Sequence, residues 1–226
     1  MPTILILLLY SLSFSSYAVE PYSCRNGHFP TYDGIHLAEI TGNTNEKVHA
    51  REDSDGCPEP ESCKRKGYLI KGDKVLATTP SDGWVCIYYL GKKNDYVGWV
   101  KQQEIRDVDV PVLPKLDGWL GKWESIGAVN LIQIRPGKSD QLQVFGKARW
   151  LGGKNSYGEA IVHFGQVHGE AHPEANKLVI TENNPDQSCV VNLNLIDAFI
   201  VATDNEKCGG MNVRFNGVYR QKPLLC

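Results

Sequence analysis

The sequence lacks most of what catalysts and nucleic-acid binders carry. Outside its first 18 residues, no run has the length needed to span a bilayer. No Gly-x-Ser-x-Gly is present, so the strained nucleophile turn of that hydrolase class is excluded. No glycine-rich loop follows a strand and opens a helix, so phosphate-bearing cofactors have no cradle and no cofactor is expected. A basic excess is missing too: 24 Lys and Arg face 26 Asp and Glu. Phosphate contacts need such an excess, so nucleic acid is not an expected partner. Convincing helical periodicity is absent from the second half of the chain.

What is present begins with an export signal. Thr3 to Leu9 is almost entirely apolar, and Ser16-Tyr17-Ala18 places small residues where a signal peptidase reads. Cleavage is expected after Ala18, leaving no integral membrane segment. Pro21-Tyr22-Ser23 before Cys24 makes a poor lipoprotein box, so no lipid anchor is expected. Export accounts for the seven cysteines: in an oxidising compartment they are disulfide candidates rather than metal thiolates. Cys189 and Cys208 are a candidate pair. Cys24, Cys57, Cys63 and Cys86 allow three connectivities, and the sequence does not choose among them. Cys226 is then left over, to stay a free thiol, to bridge the two domains or to link two chains.

Residues 19–108 are expected to form a first, small all-β domain. Ile35–Ile40, Lys47–Arg51, Tyr68–Ile70, Lys74–Thr78, Trp84–Leu90 and Tyr96–Lys101 read as strands, punctuated by glycines at strand spacing. Glu52, Asp53, Asp55, Glu59 and Glu61 form an acidic run among Gly and Pro, read as a solvated loop. Lys71-Gly72-Asp73, Gly83-Trp84 and Gly98-Trp99-Val100 resemble the turn and strand signatures of the bacterial SH3-like domain family. Val48-His49-Ala50-Arg51 resembles that family's Asn-Val-Arg-type segment, although His49 and Ala50 depart from it. The resemblance covers about residues 47–105, with a Cys-bearing insertion at 55–66. It implies an SH3-like barrel that binds wall peptide, peptidoglycan or an envelope protein. Exposed aromatics in a shallow groove stack on sugars and peptides, which makes Trp84, Tyr89, Tyr96 and Trp99 the candidate ligand-binding residues. Each is more readily a core residue than a ligand contact.

Residues 109–115 read as a stiff linker, because Pro111 and Pro114 disfavour both helix and central strand. Residues 116–226 are expected to form a second domain, an antiparallel β-barrel of about eight strands. Strands are read at 131–135, 141–150, 159–169, 177–181, 190–195, 198–203 and 211–220. Asp204-Asn205-Glu206-Lys207-Cys208-Gly209-Gly210 supplies turn chemistry between the last two. That turn reads either as good fold-making or as a recognition loop of Asp204, Asn205, Gly209, Gly210 and Asn212. Gly121 and Trp123, with Arg220 near the chain end, resemble the calycin pattern, which implies that Arg220 stacks over Trp123 and closes the barrel. The whole DNxxCGGxNVxFxGVY string looks like a C-terminal module of exported bacterial proteins, some of which carry a lysozyme-inhibitor-like region. That resemblance implies an envelope role without assigned chemistry.

His168, Glu170 and His172 would share one face of a strand and could hold zinc. Gly165, Gly169 and Pro173 argue that the strand ends or bulges there, so no metal site is expected. Asp204, Glu170 or Glu182 could supply a carboxylate pair for sugar hydrolysis, but nothing singles one out. The leading expectation is therefore a non-enzymatic binding protein of the bacterial envelope, secreted or periplasmic, with a wall component or envelope protein as partner. One alternative is an inhibitor or immunity protein against a wall-degrading enzyme. The other is a hydrolase or a calycin carrying a small ligand. The oligomeric state is not legible.

Overall fold

The computed structural model describes residues 24–26, 29–31, 34–43, 45–91, 95–110, 115–127, 129–183 and 188–222. Residues 1–18, expected to be an export signal, residues 111–114 of the expected linker and Cys226 lie outside them.

Alternating apolar residues build two antiparallel sheets. The first contains β1 (His36–Ile40), β2 (Lys74–Ala77), β3 (Trp84–Tyr89), β4 (Tyr96–Lys101) and β5 (Ile105–Asp107), in the order β4-β3-β2-β1-β5. The stretches at 47–51 and 68–70 do not form strands. They meet each other at a single bridge, Val48 to Leu69, and Arg51 bridges to Lys64 of the insertion and to Trp99 of β4. The insertion returns to Arg51 after being pinned by the Cys57–Cys63 disulfide, so the chain meets itself at points rather than along a ladder.

The second sheet holds β6 (Gly121–Ser125), β7 (Leu131–Pro136), β8 (Leu142–Lys154), β9 (Ala160–Ala171), β10 (Lys177–Asn183), β11 (Ser188–Ile196), β12 (Phe199–Asp204) and β13 (Gly217–Gln221). Its order is β10-β11-β12-β13-β6-β7-β8-β9. Each strand pairs with its sequence neighbour except across the β9–β10 seam, while β13 pairs back onto β6. The result is a nearly closed eight-stranded antiparallel barrel. Its interior is filled by Trp119, Trp123, Ile132, Leu193, Phe215 and Tyr219 among others, all buried.

Three features of the barrel depart from the sequence reading. β13 begins at Gly217, not Met211, because the backbone before it is satisfied locally. Asn212 takes a left-handed φ of 64°, Val213 N–H donates to Gly210 O, and the Asp204 carboxylate accepts from Phe215 N–H. β9 does not end at Gly165 or Gly169 but runs to Ala171. Those glycines serve close approach: a Cβ at Gly165 would lie 2.3 Å from Cys208 O, and one at Gly169 2.8 Å from Ile180. Arg220 does not stack over Trp123. Trp123 is buried inside and donates from Nε1 to Trp119 O at 2.8 Å. Arg220 stands on the outer wall, 3.9 Å from Asp95 of the first sheet. Tyr219, its neighbour on the alternating strand, fills the interior instead and donates to Phe215 O at 2.7 Å.

The two sheets share an apolar seam. Phe199, Val201 and Val218 on the outside of β12 and β13 join Leu37, Leu76, Cys86 and Tyr88 of the first sheet. The Tyr88 ring meets Phe199 edge-on at 5.9 Å. The opposite face of the first sheet covers its own core, including Ile40, Val75, Val85, Ile87 and Val100. β3 is therefore buried on both faces.

Candidate functional site

The four candidate aromatics of the first sheet do not share a groove. Trp99 lies opposite Cys86 in register and Tyr96 opposite Tyr89. Residues paired in this way share a face, and faces alternate along a strand. Trp84 and Trp99 thus occupy one face of the sheet, Tyr89 and Tyr96 the other. Each is also held by the fold. Trp84 Nε1 donates to Glu59 at 2.8 Å, and Trp99 Nε1 to Asp53 at 3.1 Å. Tyr89 donates its hydroxyl to Asp73 at 3.4 Å, and the Arg65 guanidinium lies over the Tyr96 ring at 5.4 Å. Burial raises the pKa of both tyrosine hydroxyls.

The acidic run is tethered rather than merely solvated. Asp53 and Glu59 cap the two indoles, and Glu61 meets Arg51 at 2.6 Å. The hydrogen bond and charge of Arg51 hold the exposed Glu61 carboxyl below its ordinary pKa.

The DNxxCGG turn is also consumed internally. The Cys189–Cys208 disulfide ties it to the start of β11. Asn205 Oδ1 accepts from Val190 N–H at 3.1 Å, and its Nδ2 donates to Ser188 O at 2.7 Å. Asp204 accepts from Glu206 N–H at 2.7 Å. Gly209 lies directly on Gly165 of β9, and Gly210 N–H donates to Phe164 O at 3.1 Å. The turn lies against β9 beside the open seam between β9 and β10. Of the five candidate residues there, Asp204 is half-buried and Asn205, Gly209, Gly210 and Asn212 are exposed, Asn212 in a left-handed backbone conformation.

An opening lies next to this turn, where β8 and β9 meet it. It is a cleft of about 1040 Å³. Lys147 and Arg149 of β8, Phe164 and Gln166 of β9, and Lys207 of the turn line it, with Glu182 of β10 at its edge. Glu182 accepts from the His168 backbone N–H at 2.8 Å, which spends one of its oxygens on the seam. Lys147, Arg149 and Lys207 give the wall a positive balance, and Phe164 is 68% exposed. The arrangement can pair carboxylates or phosphates with cations while an aromatic face covers apolar surface. Of these positions the sequence reading named only Glu182, as a possible carboxylate, and Lys207, as part of the turn. The alternation of Lys147, Arg149 and Leu151 along one strand face was the available signal.

Among the described residues, no group of three or more His, Cys, Asp or Glu side chains is placed to hold a metal ion. His168 and Glu170 point outward on β9. No helix among the described residues is long and apolar enough to cross a membrane. Comparison with known families, curated proteins and solved structures finds no match for this chain.

Proposed function

We propose that this chain is an exported, non-catalytic binding protein of the bacterial envelope, and that the barrel cleft takes an anionic wall component. The observation that carries this reading is the cationic cleft with its exposed Phe164. Peptidoglycan offers the complementary chemistry, sugar rings beside the carboxylates of its stem peptides. An SH3-like reading of the first sheet is supported by the turn and strand signatures noted above and by the order β4-β3-β2-β1-β5. In this reading the first sheet braces the barrel, because its Trp and Tyr side chains are already engaged. The three disulfides suit an oxidising compartment.

The test is a pull-down of residues 19–226 on purified sacculi across a salt series. Binding through the cleft predicts that the protein pellets at low salt and is released as salt rises. The triple variant Lys147→Glu, Arg149→Glu, Lys207→Glu should stay in solution while keeping its melting temperature. A native protein that never pellets, or a triple variant that pellets normally, overturns the proposal.

A further inference from the structure

The pairing of β7 with β8 ends at Leu131 and Lys147, yet β8 runs on through Arg149 to Lys154. Asn130, the residue before β7, takes over with its side chain where the ladder stops. Its Oδ1 accepts from Arg149 N–H at 3.0 Å, and its Nδ2 donates to Arg214 O at 2.8 Å. Its backbone is held as well: Asn130 N–H donates to Ser125 Oγ at 3.0 Å, and Ser125 N–H donates to Asn130 O at 3.0 Å. Among the described residues, Asn130 is the one buried side chain that is both polar and non-aromatic, at 6% exposed. A buried amide is tolerated when its polar atoms are paired, and here oxygen and nitrogen each have a partner.

Those two side-chain bonds reach opposite sides of the cationic cleft. Arg149 stands on β8 beside Lys147, and both line the cleft, as do Val129 and Leu131 on either side of Asn130. Arg214 belongs to the segment that supports the disulfide-held turn. A Cβ on Gly165 or Gly209 would meet Val213 Cγ1 at 2.7 or 3.0 Å, so Val213 already lies against the crossing of the turn with β9. Arg214 pairs with Glu206, the neighbour of Lys207, at 3.1 Å. The turn is tied to β11 by the Cys189–Cys208 bond and to β9 at Gly165. On the β7 side of Arg149, the Asn130 amide stands where a strand partner would.

We infer that Asn130 is the positioning residue of this cleft: one buried amide holds the β8 cations against the segment that carries Lys207, and so sets the spacing of the cationic wall. Charges fixed in place before a ligand arrives need no rearrangement on binding. Asn130 touches no ligand and acts through Arg149 and Arg214. The effect on ligand binding rests on the wall-binding reading above, whereas the positioning itself does not.

The test combines amide hydrogen exchange with the sacculi pull-down, on residues 19–226. In the native chain the Arg149 amide should exchange slowly although β7 offers it no partner. Asn130→Ala removes both side-chain bonds and should speed exchange at Arg149 and at Val213 about tenfold, the worth of one buried hydrogen bond. Asn130→Asp keeps the acceptor for Arg149 but loses the donor to Arg214, so Val213 should speed up while Arg149 stays protected. A general loss of stability would move both amides together. Both variants keep Lys147, Arg149 and Lys207, and both should leave the sacculi at lower salt than the native chain. If Asn130→Ala fails to fold, Asn130→Asp carries the comparison. Equal loosening of the two amides by Asn130→Asp overturns the inference, as does fast exchange of Arg149 in the native chain or a loosened variant released at native salt. A native chain that never pellets overturns wall binding instead, and the exchange rates still decide whether Asn130 holds the two walls.

Discussion

The two sheets spend their aromatic residues in opposite ways. The first sheet buries β3 on both faces, one against its own core and one against the barrel. Trp99, Trp84 and Tyr89 end on Asp53, Glu59 and Asp73, and the Tyr88 ring packs against Phe199. The barrel fills its interior with Trp119, Trp123, Phe215 and Tyr219, yet leaves Phe164 and Tyr157 in water. Aromatic richness therefore does not locate a binding surface by itself. What separates the two regions is whether a ring already has a partner.

The sharpest way to break this contrast is at the seam. Phe199→Ala removes the ring that meets Tyr88, and should cost about 3 kcal/mol of unfolding free energy, as for other large buried aromatics. Urea denaturation followed by tryptophan fluorescence measures it. One transition shifted as a whole would show the two sheets unfolding as a unit, and two separated transitions would show them independent.

A smaller effect tests the insertion. Replacing Cys57 and Cys63 by Ser opens a loop with a sequence separation of only 6. Loop-closure entropy for so short a loop is about 2 kcal/mol. Opening the Cys24–Cys86 loop, with a separation of 62, should cost more, about 4 kcal/mol. Equal losses in the two double variants would count against the loop-length account.

The smallest effect is confined to alkaline solution. Burial of the Tyr219 hydroxyl raises its pKa well above the ordinary value of about 10. The folded chain therefore holds this proton after the unfolded chain has lost it. Stability from Tyr219 is fully present below pH about 10 and is lost as the pH rises beyond that. Tyr219→Phe should flatten the fall in melting temperature between pH 9 and 11, and an unchanged slope would assign the fall to other groups.

Much of the architecture was legible because period-two alternation survives where one face of a strand is buried. β7, β8, β10 and β11 follow it closely, whereas β12 is buried on both faces. The Cys189–Cys208 pair was legible from its turn, and the structure fixes Cys24–Cys86 and Cys57–Cys63 where the sequence allowed three connectivities. Misreadings arose where side chains replace backbone partners. The Asp204 carboxylate takes the Phe215 N–H, and the Asn216 side chain takes the Asp204 N–H at 2.8 Å, so alternation from Met211 onward imitates a strand that is not there. Gly165 and Gly169 look like strand ends but are crossings. The hairpin tip at residues 155–158 was not read at all, because strands were expected at 141–150 and 159–169 with nothing assigned between them. Nothing in composition says that its tyrosine stays bare.

The pairing of β13 with β6 also fixes an order of events. Tyr219 sits opposite Ser125, and Gln221 reaches across to Leu120 O at 2.7 Å. The ring of strands is thus joined between its first and last members. While the C-terminal residues are still being synthesised, β6 has no partner on that side. The apolar outer wall that will meet Tyr88 is also incomplete until β13 arrives. The barrel can therefore close only once β13 is in place, and until then the β6 edge on that side is unpaired.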